Sequence, residues 1–152
     1  MSWSSFVVDT SVLAEYLDEE SPYRVLLDRF YDDIRAGRFH AYITHVTISE
    51  LVFVATRVYR EAGVENPNNE ALQYITWLTN VAGFNIVSPD IRDSILAGEL
   101  RKQLRIAMAD RFVIAVARRL NAAPLFLQLE REMSVYEDIL RNYNVTFITE
   151  IY

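Results

Sequence analysis

Four carboxylates in this 152-residue sequence stand where chemistry is possible: Asp9, Glu50, Asp110 and Glu130. Three of them are embedded in apolar sequence. Asp9 closes Phe6-Val7-Val8, Glu50 precedes Leu51-Val52-Phe53, and Asp110 lies within Met108-Ala109-Asp110-Arg111-Phe112-Val113-Ile114. Carboxylates gathered in apolar surroundings repel one another, and some then keep their protons. A bound hard cation removes the repulsion. Oxygen donors with no cysteine and no histidine pair beside them favour Mg²⁺ or Mn²⁺ over Zn²⁺. Such an ion can generate hydroxide from water and stabilise charge on a phosphoryl oxygen. Each residue also has a structural role open to it. Asp9 can cap a helix. Thr47-Ile48-Ser49-Glu50 fits a capping box. Asp110 suits the positive end of a helix dipole, and Glu130 can be an exposed helix start.

The elements that must position these groups alternate along the chain. Apolar, β-branched runs predict strands at 6–8, 41–44, 84–87, 124–127 and 145–148. Val12, Leu13, Tyr16 and Leu17 share one face of a helix that follows Asp9. Ser21-Pro22 opens a second helix, closed by Gly37. Thr47 starts a long third helix that stops near Gly63. Asn66-Pro67 opens the next, and Pro89 the one after it, which runs through Leu104. A helix begins around Ala109, and another follows the fourth strand through Leu140. Strands alternating with helices imply an α/β fold with a mostly parallel sheet covered on both faces. Right-handed crossovers then bring every strand's carboxyl end to one edge, where such folds place their sites. Asp9, Glu50 and Glu130 follow strands one, two and four.

Composition bounds the rest. The length suits one domain, 1–152, with a sizeable core. There is no cysteine, so disulfides and thiolate metal sites are excluded. No secretory leader opens the chain, and no apolar run is long enough to span a membrane. A cytoplasmic protein is the expectation. The net charge of −6 argues against broad nucleic-acid affinity. Isolated glycines rule out a Gly-rich nucleotide loop. Ser11 occupies the position where a dehalogenase-type phosphatase needs its second carboxylate. No lysine follows the last strand, as a response-regulator receiver would require.

Three stretches together resemble the PIN-domain ribonucleases, VapC-type toxins among them: Phe6-Val7-Val8-Asp9-Thr10-Ser11-Val12-Leu13, Thr47-Ile48-Ser49-Glu50-Leu51, and Met108-Ala109-Asp110-Arg111-Phe112-Val113-Ile114. Each is weak alone; their order and spacing are fairly specific. The resemblance implies a three-layer fold around a parallel sheet of about five strands in the order 3-2-1-4-5. It implies Mg²⁺- or Mn²⁺-dependent hydrolysis of RNA, a homodimer, and a cognate antitoxin that blocks the site. Asp9, Glu50 and Asp110 would hold metal, with Ser11 as a supporting polar group. The family's fourth strand usually ends with Thr or Ser shortly before an Asp. Here the equivalents are Gln128 and Glu130, so Glu130 is the fourth candidate ligand and catalytic carboxylate. The competing reading is a PIN-like interaction module with weak or no catalysis.

An acidic protein needs a local basic surface to hold RNA. Arg101, Lys102, Arg105, Arg111, Arg118 and Arg119 cluster around Asp110 in the sequence, and Arg111, beside the carboxylate, is the candidate for phosphate contact. The apolar side chains on the early helices, Phe30, Tyr31, Phe53 and Tyr59 among them, point toward association into a dimer.

Overall fold

The computed structural model describes residues 2–152. Five strands, β1 (Ser5–Val8), β2 (His40–Thr44), β3 (Asn85–Val87), β4 (Ala123–Phe126) and β5 (Thr146–Phe147), form one sheet. All pairings are parallel and the order is β3-β2-β1-β4-β5, as the resemblance implies. Seven helices flank it among the described residues: α1 (Thr10–Glu15), α2 (Arg24–Arg35), α3 (His45–Glu61), α4 (Pro67–Asn80), α5 (Ile91–Arg101), α6 (Met108–Leu120) and α7 (Glu137–Asn142). None is long and apolar enough to cross a membrane.

The central strand is buried on both faces, which is why β1 reads as an unbroken apolar run. Phe6 and Val8 join a core built with α1, α2, α3 and α4; Val7 joins a second core built with α6 and α7. Strand β4 alternates the same way. Leu125 and, just beyond the strand, Leu127 enter the first core, and Phe126 enters the second. Alanines sit beside Phe6 in both neighbouring strands, Ala41 in β2 and Ala123 in β4, and leave room for its ring.

The first core ties α1 in place. Tyr16 stacks on Tyr31 with ring centroids 3.7 Å apart. The hydroxyls of Tyr31 and Tyr74 lie 2.8 Å apart, and Tyr74 donates to the Leu13 carbonyl at 2.7 Å. Phe30 and Tyr31 are therefore fully buried within the chain and offer nothing to a second copy, contrary to the sequence expectation. Tyr59 is half-buried against the same core, and only Phe53 of that group stands exposed.

Four boundaries differ from the sequence reading, one of them the end of α5, which stops at Arg101 short of the expected Leu104. Helix α2 begins at Arg24, after a turn in which the Ser21 hydroxyl accepts from the Tyr23 N–H. Helix α3 begins at His45 because Thr44, the last residue of β2, is its cap and accepts from the Thr47 N–H at 3.0 Å. After β4 no helix starts near Glu130. The chain turns twice, with Ser134 folding its hydroxyl onto the Arg131 carbonyl, and passes through a 3-10 turn at Ser134–Tyr136 into α7. Local side-chain bonds of that kind compete with helix formation, and buried Met133 anchors the turn in the second core.

Candidate active site

The sheet's carboxyl edge delivers Asp9, Glu50, Asp110 and Glu130 to one cavity of about 260 Å³. Thr10, Ser11, Ala14, Val54, Phe126 and Met133 complete its lining.

Asp9 does both things open to it in the sequence. It is the cap of α1, with Oδ2 accepting from the Ser11 N–H at 3.0 Å. Its other oxygen, Oδ1, is buried and takes no hydrogen bond from an ordinary donor. The residue is only 4% exposed. Burial raises its pKa, the Ser11 hydrogen bonds pull it back, and the charge of Glu50 raises it further.

Asp110, in the first turn of α6, is pushed up to about 8, first by burial and then by the charge of Asp9, with Glu50 and Glu130 adding to it. The Asp9 and Asp110 carboxyls are within hydrogen-bonding reach. A proton held by Asp110 relieves the repulsion between the two carboxyls.

Glu50 lies in the second turn of α3, because that helix starts two residues before Thr47. Its carboxylate is past the reach of a capping box. The structural explanation for Glu50 thus falls away, and what remains is its place on the cavity wall.

Glu130 sits in the loop after β4 rather than on a helix. It is pushed up to about 7, chiefly by a hydrogen bond with Glu132 and then by burial. With no helix there, the Glu130 and Glu132 carboxyls meet. The loop is held from two sides. Ser11 Oγ accepts from the Leu127 N–H at 3.1 Å, and the Tyr23 hydroxyl donates to Gln128 Oε1 at 2.7 Å. Ser11 therefore supports the loop that carries Glu130 as well as bonding Asp9 through its own N–H.

Arg111 is a correction. It is buried, and its Nη1 donates to the Ala97 carbonyl of α5 at 2.8 Å. A residue one position after Asp110 on α6 points about 100° away from it, so the guanidinium faces the α5–α6 packing and not the cavity. The basic cluster also disperses: Arg119 pairs with Asp93, Lys102 with Glu99, and Arg118 packs on Tyr143 toward the far end of α6. Thr10 was missed. The residue lines the cavity, and its hydroxyl is buried without a partner. The one signal for it was adjacency to Asp9.

The donors that converge are all oxygens, two of them crowded enough to share a proton, and one buried carboxylate oxygen lacks an ordinary partner. That set fits a hard divalent cation such as Mg²⁺ or Mn²⁺. Among the described residues, no three acidic or histidine side chains are already drawn in as a metal-ligand cluster; an ion would have to pull Glu50 and Glu130 toward the Asp9–Asp110 pair.

A model of the PIN domain matches residues 6–135. Compared by sequence with curated proteins, the chain has no match. Its fold is similar to VapBC-1 from nontypeable Haemophilus influenzae, with a TM-score of 0.65 at 16% identity, covering 95% of this chain and 98% of that one. It is similar to VapC20 from Mycobacterium tuberculosis, a sarcin-ricin loop cleaving toxin, at a TM-score of 0.63 and 11% identity, covering 86% and 94%. FitAcB from Neisseria gonorrhoeae gives 0.61 at 16% identity, covering 93% and 95%. At these identities the likeness is one of fold. With the family model matched over most of its length, the chain belongs to the PIN domain family.

Proposed function

We propose that this protein is a metal-dependent endoribonuclease and the toxin of a VapBC-type toxin–antitoxin pair. The observation that carries the reading is the convergence of Asp9, Glu50, Asp110 and Glu130 on one cavity at the sheet's carboxyl edge. The names of the similar structures, VapBC-1 and VapC20, support the toxin assignment and an antitoxin partner. Asp9, Glu50, Asp110 and Glu130 would hold Mg²⁺ or Mn²⁺. When bound, that ion would stabilise charge on a phosphoryl oxygen and lower the pKa of a water. The chain's own residues prepare the site. Ser11 fixes Asp9 through its N–H and the Glu130 loop through its hydroxyl. Thr10 lines the cavity and has a buried, unpartnered hydroxyl. The apolar walls from Ala14, Val54, Phe126 and Met133 keep the carboxylates in a poorly solvated setting, where charge interactions are strong.

The test is incubation of end-labelled single-stranded RNA with the protein and Mg²⁺ or Mn²⁺, beside Asp9→Ala. Cleavage by the wild type that chelation and Asp9→Ala both abolish supports the reading. The second reading, a PIN-like interaction module with little catalysis, is favoured by the open arrangement of the carboxylates. It would be supported by metal binding without any RNA cleavage.

A further inference from the structure

We propose that Phe53 and Arg57, on the solvent side of α3 beside Glu50, form a contact for single-stranded RNA, with a base stacked on the Phe53 ring and a phosphate paired with Arg57. The inference rests on the ribonuclease reading above. Glu50, Phe53 and Arg57 are spaced three and then four residues apart, so they fall on neighbouring positions along one side of the helix. Glu50 lines the carboxylate cavity and Arg57 a wider adjoining groove of about 730 Å³, and Val54, Ser11, Ala14 and Glu130 line both. The groove is thus continuous with the candidate site.

Phe53 is 68% exposed and stands one helical turn from Glu50 and from Arg57. The Arg57 guanidinium lies over that ring, 5.8 Å from its centre. Among the described residues, Arg57 is the one basic side chain that lines either cavity or groove. It takes the place left by Arg111, whose charge is buried elsewhere. The far wall of the groove carries Glu15, Asp18, Glu19 and Glu20. Those charges repel phosphates and direct a strand along α3, toward Glu50, instead of across α1. An aromatic face beside a guanidinium suits unpaired bases, each of which offers a π-face; in an A-form duplex the bases are stacked inside and out of reach.

The experiment measures KM and kcat for a random-sequence single-stranded 20-nucleotide RNA, and its binding to the Asp9→Asn background across a KCl series. Phe53→Ala and Phe53→Leu are expected to raise KM on the order of tenfold while kcat stays close to wild type. Phe53→Trp should keep wild-type KM. Arg57→Gln should weaken binding and lower the slope of log affinity against log salt by about 0.7. Both positions are exposed, so misfolding is not the expected result, and thermal melting checks it. Wild-type KM in all four variants, with RNA still cleaved, overturns the contact and leaves the ribonuclease reading standing. Conversion of the protein from dimer to monomer by Phe53→Ala in sedimentation makes the ring an interface between copies and overturns it too. If the wild type neither cleaves nor binds any RNA, contact and ribonuclease reading fall together.

Discussion

Within single residues, the site sets burial against charge. Asp110 has its carboxyl pushed up to about 8, against an ordinary value near 4. Between those two values the folded state holds a proton that the unfolded chain has released. Stability of the metal-free protein from this group is therefore full below pH 4 and falls as pH rises toward 8. Asp110→Asn removes that slope. Differential scanning fluorimetry of both proteins in EDTA, from pH 5 to pH 8, should show the wild-type melting temperature losing ground to the variant. A constant gap across that range would mean that Asp110 does not hold the proton. Adding Mn²⁺ at pH 8 should raise the wild type by mass action and leave Asp110→Asn unmoved. Glu50→Gln gives a cleaner separation. The helix start at His45 denies Glu50 any capping role, so the variant should melt like wild type yet lose RNA cleavage. Unchanged cleavage would remove Glu50 from the chemistry. Glu130 and Glu132 share a hydrogen bond, but only Glu130 lines the cavity. Glu130→Ala should lower cleavage at least tenfold, and Glu132→Ala only slightly, in the same gel assay. Equal losses would make the pair, rather than Glu130, the working unit.

Among the elements, the same carboxylates show what the sequence could reveal and what it could not. Asp9 was legible only jointly, because an Asp after a buried strand can equally cap a helix, as it does here; the sheet order came from the family resemblance that the ordered carboxylates carry. Asp110 was legible because it stands in the apolar run Met108-Ala109-Asp110-Arg111-Phe112-Val113-Ile114, which also carries part of the family resemblance. Part of what failed depended on long-range pairing. Arg111 looked available beside Asp110, but its direction is set by α5, fourteen residues back, through the Ala97 carbonyl. The helix expected after β4 yielded to bonds from Tyr23 and Ser11, more than a hundred residues away in sequence. Thr44, not Thr47, caps α3, and a one-turn change in the helix start decided which explanation of Glu50 survives. The element that places Asp110 has its own clamp. Arg119 of α6 bonds both oxygens of Asp93, at 3.1 and 2.9 Å, and reaches the Ser88 carbonyl. Asp93 is 1% exposed and closes the capping box of α5. Arg119→Met leaves that carboxylate buried and short of a partner, at a cost of about 3 kcal/mol. Urea unfolding should show that loss at pH 7. A change below about 0.5 kcal/mol would mean the pair behaves as an ordinary surface bridge.

For the whole molecule, the question is what covers the apolar surface that remains. Burial of Phe30 and Tyr31 within the chain removes part of the reason to expect association; the family resemblance and exposed Phe53 remain, and the fold supplies another. Ile91 and Ile95 lie one turn apart on α5, 73% and 60% exposed, and Met108 at the start of α6 is 61% exposed. A specific dimer buries about 800 Å² on each partner, and Ile91 and Ile95, on one face of α5, can anchor such a patch. We predict a homodimer through this face, measured by sedimentation velocity at micromolar protein. Ile91→Asp with Ile95→Asp should convert it to monomer while the thermal transition of each chain stays cooperative, because neither side chain belongs to the core. Phe53→Ala should leave the dimer intact, since α3 presents that ring beside Glu50 and not beside α5. A wild type that sediments only as monomer would reject the interface. A dimer that survives the double substitution would place it on another face.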